Sequence, residues 1–110
     1  MPVIQRETSV GAGLTVANLL AGSVFEFARQ NVLIVVGVTA AATGSFITIN
    51  SGSDVVAEES PPIVKTVFPV IPDDMYYSDV ATVGDRIVIA ARNPTGGAII
   101  HRALVQITNL

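Results

Sequence analysis

The chain contains no cysteine, no tryptophan and one histidine, and only 14% of its 110 residues are charged. Without cysteine there is no disulfide framework, no thiolate zinc site and no cysteine nucleophile. The charged share falls well below the roughly 25% of an ordinary soluble domain. Six basic residues, mostly isolated, make no basic face for nucleic acid, so none is expected as a partner. Half of the residues are hydrophobic, which excludes a disordered chain. Long apolar runs are also missing. The most apolar stretch, residues 32–42, is 11 residues long, against about 20 for a helix that spans a bilayer, so no membrane span is expected. Residues 1–13 carry Arg6 and Glu7 and no apolar segment of the signal-peptide kind.

What the chain does have is β-branching. It holds 17 Val, 11 Ile and 9 Thr, 37 of 110 residues together, against 6 Leu. Side chains branched at Cβ are stiff and fit a pleated sheet better than a helix. Gly and Pro punctuate short segments of this kind. Residues 24–29 alternate, with Phe25 and Phe27 on one side and Glu26 on the other, the period of a half-buried strand. Residues 32–38 are apolar throughout, as in a strand covered on both faces, and Gly37 within them marks a bulge or a close backbone approach. In 45–50, Ile47 and Ile49 oppose Phe46 and Thr48, followed by the turn 51–54. Pro61-Pro62 ends the short segment 55–58, and 63–70 reads as a strand that Pro69 confines to an edge. Pro72-Asp73-Asp74 turns, 75–80 is weakly extended, and Gly84-Asp85 leads into the alternating strand 86–92. Asn93-Pro94-Thr95-Gly96-Gly97 is the clearest turn. In the last strand, 98–108, Ile99 and Ile100 adjoin, which suggests a bulge near His101 and Arg102. Eight or nine short strands at this spacing predict one all-β antiparallel sandwich domain over 1–110, with 1–13 as an extended N-terminal arm. A competing reading places a helical turn near 18–23, because Val16, Leu19, Leu20, Val24 and Phe27 follow a helical spacing after Thr15.

No catalytic motif emerges. His101 lacks a nearby serine elbow and reads as a packed or surface residue. The neighbouring carboxylates Glu58-Glu59 and Asp73-Asp74 would point to opposite faces of a strand, which does not suit glycoside hydrolysis. With Asp79 and Asp85 they show no EF-hand spacing. Neither metal nor cofactor is expected, and the chain reads as a non-enzyme. Tyr76-Tyr77 is the one aromatic pair outside an apolar run. With the Asp73-Asp74 loop it would be the contact site of a small sugar- or peptide-binding module, the alternative function. The expectation beside that is one Tyr packed and one exposed.

Charge is segregated. Residues 1–53 are neutral, 54–85 carry seven acids and Lys65, net −6, and 86–110 carry Arg86, Arg92 and Arg102 without an acid, net +3, which sums to the overall −3. Such segments pair either within one chain or between copies. The Gly84-Asp85 turn, strand 86–92, the Asn93-Pro94-Thr95-Gly96 turn and the closing strand 98–108 resemble the last strand pair of small viral jelly-roll proteins. That resemblance implies a single jelly roll of about eight strands and a bacteriophage virion protein, either a capsid component or a head-decoration protein. Its partners would be itself and other capsid proteins, and its location the virion, assembled in the host cytoplasm. A largely apolar composition fits a surface covered by neighbours. The candidate interface residues are Arg86, Arg92, Arg102, Glu58, Glu59, Asp73, Asp74, Tyr76 and Tyr77, and charge reversal at Arg92 and Arg102 is expected to weaken assembly.

Overall fold

The computed structural model describes residues 3–23, 26–71, 74 and 76–110. Among these residues there is no helix and there are nine strands. They are β1 (Val3–Val10), β2 (Thr15–Val16), β3 (Val32–Ala40), β4 (Phe46–Ser51), β5 (Asp54–Ser60), β6 (Ile63–Val64), β7 (Tyr77–Ala81), β8 (Ile87–Arg92) and β9 (Ile99–Asn109). One sheet runs β1-β9-β3, with β7 and the two-residue β6 sharing the far side of β3; the other runs β2-β8-β4-β5. Only the β3–β6 contact is parallel. The chain is thus an all-β sandwich of two sheets.

Its core follows from strand periodicity. Ile34, Val36 and Val38 of β3 and Ala103, Val105 and Ile107 of β9 share one buried cluster with Ile47 and Ile49 of β4 and Ile87, Ile89 and Ala91 of β8. Alternate residues of each strand face this layer, and burying each Ile or Val contributes about 1.5–3 kcal/mol. Ile47 and Ile49 point inward and Phe46 and Thr48 outward, as the alternation predicts.

β3 is the central strand, and its outer face is partly covered. The chain after β6 crosses that face, where Thr39 Oγ1 donates to the Val67 carbonyl at 2.7 Å. A Cβ on Gly37 would lie 3.0 Å from Pro69 Cγ, so Gly37 serves a close approach, not a bulge. The strand expected over 63–70 is therefore only Ile63–Val64. Pro69 is buried against β3, and the Asp74 amide turns back to the Val70 carbonyl at 2.6 Å.

Three further expectations change. Residues 3–10 are not a free arm but a fully paired edge strand, with Val3 opposite Gln106 and Val10 opposite Ile99. The bulge expected near His101 and Arg102 is absent, because β9 stays in unbroken register with both β1 and β3. Ile99 faces the core and Ile100 lies on the outer face. In place of a strand over 24–29, residues 26–29 make a single bridge, Phe27 to Arg86, and Val24 and Phe25 lie outside the described residues. The faces are also reversed, since Glu26 is buried and Phe27 exposed. Residues 18–22 form turns rather than a helical turn.

Candidate functional site

The three arginines singled out from the sequence each have a definite place. Arg86 Nε binds Glu26 Oε2 at 2.6 Å and its guanidinium lies 5.9 Å from the Phe27 ring centre. Arg92 Nε binds Glu59 Oε1 at 2.8 Å and stacks 4.8 Å over Phe46. Arg102 Nη2 binds Glu7 Oε1 at 2.8 Å. Arg92 lies on the outer face of the β2-β8-β4-β5 sheet, beside Phe46 in the register. Arg102 lies on the outer face of the other sheet, opposite Glu7 and Thr39. The three arginines therefore form no common basic patch. Only Arg92 takes its carboxylate from the acidic segment 54–85.

On the acidic side, Asp74 Oδ2 accepts from Lys65 Nζ and from the Val70 amide, both at 2.7 Å. The Lys65 bond, followed by the Val70 amide, holds the Asp74 carboxyl below its ordinary range. Glu58 and Glu59 are both exposed on β5, where the register shifts and Glu59 takes a positive φ of 45°. Tyr76 is exposed and Tyr77 packs partly buried against the core. Asp73 lies outside the described residues. Asp74 is thus committed within the chain and Tyr77 belongs to the core, so Tyr76 is what these described residues offer a sugar or peptide.

The fold also joins residues that the sequence left apart. His101 Nε2 lies 2.9 Å from Ser45 Oγ, and Nδ1 lies 3.3 Å from the Ile99 carbonyl. A Ser–His contact backed by an acceptor has the outline of an activated nucleophile. Here both side chains are fully buried, and the pair ties β9 to the start of β4. Burial lowers the His101 pKa, with the Ile99 carbonyl acting weakly the other way.

Two buried asparagines organise the ends. Asn18 Oδ1 accepts from the Leu20 and Ile89 amides, both at 3.0 Å, while Nδ2 donates to the Ile87 carbonyl at 3.2 Å. Its side-chain amide thereby continues the pairing of β8 beyond β2. Glu26 joins the same cluster through Asn18 Nδ2 and the Gly22 amide. Arg86, then the Gly22 amide, lowers the Glu26 pKa. A polar turn was legible around both Asn18 and Asn93; the partners of their side chains were not.

Two hollows remain. Asp54, Val55, Val56, Ser78 and Asp79 line an open groove of about 350 Å³ between β5 and β7, in which Asp79 Oδ2 is buried without a hydrogen-bond partner. Among the described residues no three His, Asp or Glu side chains converge to hold a metal. At the end where β3 and β8 begin and β9 finishes, a cavity of about 140 Å³ opens between the sheets. No helix among the described residues is long and apolar enough to cross a membrane. No family model, curated protein or solved structure matches the chain.

Proposed function

We propose that this chain is a structural virion subunit, a jelly-roll capsid or capsid-decorating protein that acts by packing against copies of itself and against other capsid proteins. The pairing pattern supports the jelly-roll part. β1 pairs with β9, β2 with β8, β3 with β7 and β4 with β5, so, with the two-residue β6 set aside, the first four strands meet the other four in reverse order. That nesting is how an eight-stranded jelly roll is wrapped, an architecture of viral capsid and lectin domains. Architecture does not select among those uses; the surface is what supports an assembling one.

The observation that carries the assembly reading is an apolar flank along β7. Val80 on β7 is 48% exposed, and Val67 in the β6–β7 connection 56%. Val64, Val70 and Tyr76 are exposed along the same stretch of chain. Exposed apolar side chains gathered on one stretch of chain are candidates for protein–protein contact. Among the described residues, β7 pairs in the sheet with β3. Arg92 and Arg102 are spent on carboxylates of the same chain, so the apolar flank, not the arginines, is the assigned interface.

Sedimentation velocity tests this. The wild type sediments as an oligomer at micromolar concentration, and Val67→Lys/Val80→Lys, with an unchanged far-UV spectrum and melting temperature, sediments as a monomer. A wild type that stays monomeric throughout that range overturns the assembly reading. Portal or terminase genes beside the coding sequence, and the chain itself in purified particles, are expected of the virion role.

A further inference from the structure

The 140 Å³ cavity is lined by Phe27, Ala28, Val32, Ile87 and Ile107, with Arg29, Gln30 and Asn109 also at its wall. Its floor is apolar and contributed by both sheets, since Val32 opens β3, Ile107 lies near the end of β9 and Ile87 opens β8. Val32, Ile87, Ile107 and Ala28 are buried, whereas Phe27, Arg29, Gln30 and Asn109 are exposed and form the rim. An engineered apolar cavity of about 150 Å³ stays dry and takes up benzene, so one six-membered ring is the body this space fits. The rim adds a charge. Among the described residues, Arg29 is the one basic side chain with neither a hydrogen bond nor an ion pair: Arg6 donates to the Ala21 carbonyl and the other four are salt-bridged. Gln30 and Asn109 supply amide donors beside it.

We propose that this cavity binds a small aromatic carboxylate, with the ring among Ala28, Val32, Ile87 and Ile107 and the carboxylate on Arg29. The apolar floor supplies the contact area, and the ring of Phe27 at the rim offers an edge or face to the guest ring. Arg29 selects an anion over a neutral ring of the same size and orients it with its head outward. The site is independent of the virion reading, because it lies at the end of the sandwich and uses none of the residues of the β7 flank.

Benzoate and toluene serve as probes, followed through the δ-methyl resonances of Ile87 and Ile107 in the full chain. Both probes shift these two methyls saturably, leaving that of Ile63 in place. Arg29→Gln, an exposed change, weakens benzoate about two- to fivefold, the range of an exposed ion pair, and leaves toluene unchanged. Ala28→Leu, which fills the cavity from its loop side, abolishes both responses. Absence of a saturable shift at Ile87 and Ile107 with either probe overturns the site, whether or not Ala28→Leu folds. Equal benzoate affinity in Arg29→Gln overturns the assignment of the anion to Arg29.

Discussion

A single buried imidazole, at His101, is expected to make the stability of this protein fall in mild acid. The unfolded chain takes up a proton on His101 near pH 6.5; the folded chain resists it, because the ring is desolvated between Ser45 and the Ile99 carbonyl. Between the lowered folded-state value and 6.5 the unfolded state therefore binds more protons. Stability from neutral His101 is complete above about pH 6.5 and is lost as pH falls from there toward the folded-state value. Melting temperatures measured from pH 8 to 5 are expected to fall over that window. His101→Gln, whose side-chain oxygen can accept from the Ser45 hydroxyl in place of Nε2, flattens the slope. Glu26 acts in a separate window. Its carboxylate is held ionised by Arg86 and the Gly22 amide, so its contribution is present above about pH 4.5 and disappears as pH falls through its lowered value. Glu26 also shows why alternation misled at 26–29. A carboxylate that accepts from Arg86, Asn18 and the Gly22 amide is a satisfied buried group, and Phe27 then turns outward beneath Arg86.

Turns are where these strands are joined to one another, and Asn93 is the clearest case. Its Nδ2 donates to the Val10 carbonyl at 2.9 Å and the Gly97 carbonyl at 2.7 Å, and its Oδ1 accepts from the Thr95 amide at 3.0 Å and hydroxyl at 2.6 Å. Its backbone amide meets the Leu14 carbonyl. One side chain thereby closes the β8–β9 turn and anchors it to the end of β1. Asn93→Ala leaves several of these groups without partners, each costing about 1–3 kcal/mol when buried. Urea unfolding is expected to register a loss of about 2–4 kcal/mol. Asn93→Asp fares no better, since its second oxygen faces two carbonyls. The turn itself was legible in Asn93-Pro94-Thr95-Gly96-Gly97, as was the alternation of Ile87 and Ile89. The straightness of β9 was not. Ile99 and Ile100 are both apolar, and the sequence carries no mark of which one a sheet will leave outside, since apolar side chains also populate surfaces.

At the scale of the whole molecule, the arginines of the last two strands find carboxylates within the chain. Arg92 joins Glu59, 33 residues away, and Arg102 joins Glu7, 95 residues away. Arg92→Glu and Arg102→Glu each break an intrachain pair and set two acids side by side. Each is expected to lower stability by about 1 kcal/mol in urea unfolding, since exposed pairs contribute little, and to leave the sedimentation coefficient of the assembled species unchanged. Dissociation by either variant, with stability intact, would return the arginines to the interface. Of the arginines in 86–110, only Arg92 meets the acidic segment 54–85, and the exposed valines at Val67 and Val80 are the surface that the proposed assembly assigns to a neighbour.

The all-β class, the turns and the inward faces of β4 and β8 were readable from the chain because each rests on local chemistry: branching at Cβ, a period of two, and the punctuation of Pro, Gly and Asn. The partners were not readable. β1 beside β9, Ser45 against His101, Pro69 over Gly37 and the cavity among Ala28, Ile87 and Ile107 all depend on the reverse-order nesting of strands across the full length. Many nestings satisfy the same alternation. Close packing of two finite sheets around one core selects among them, and that selection is a property of the whole sandwich rather than of any segment.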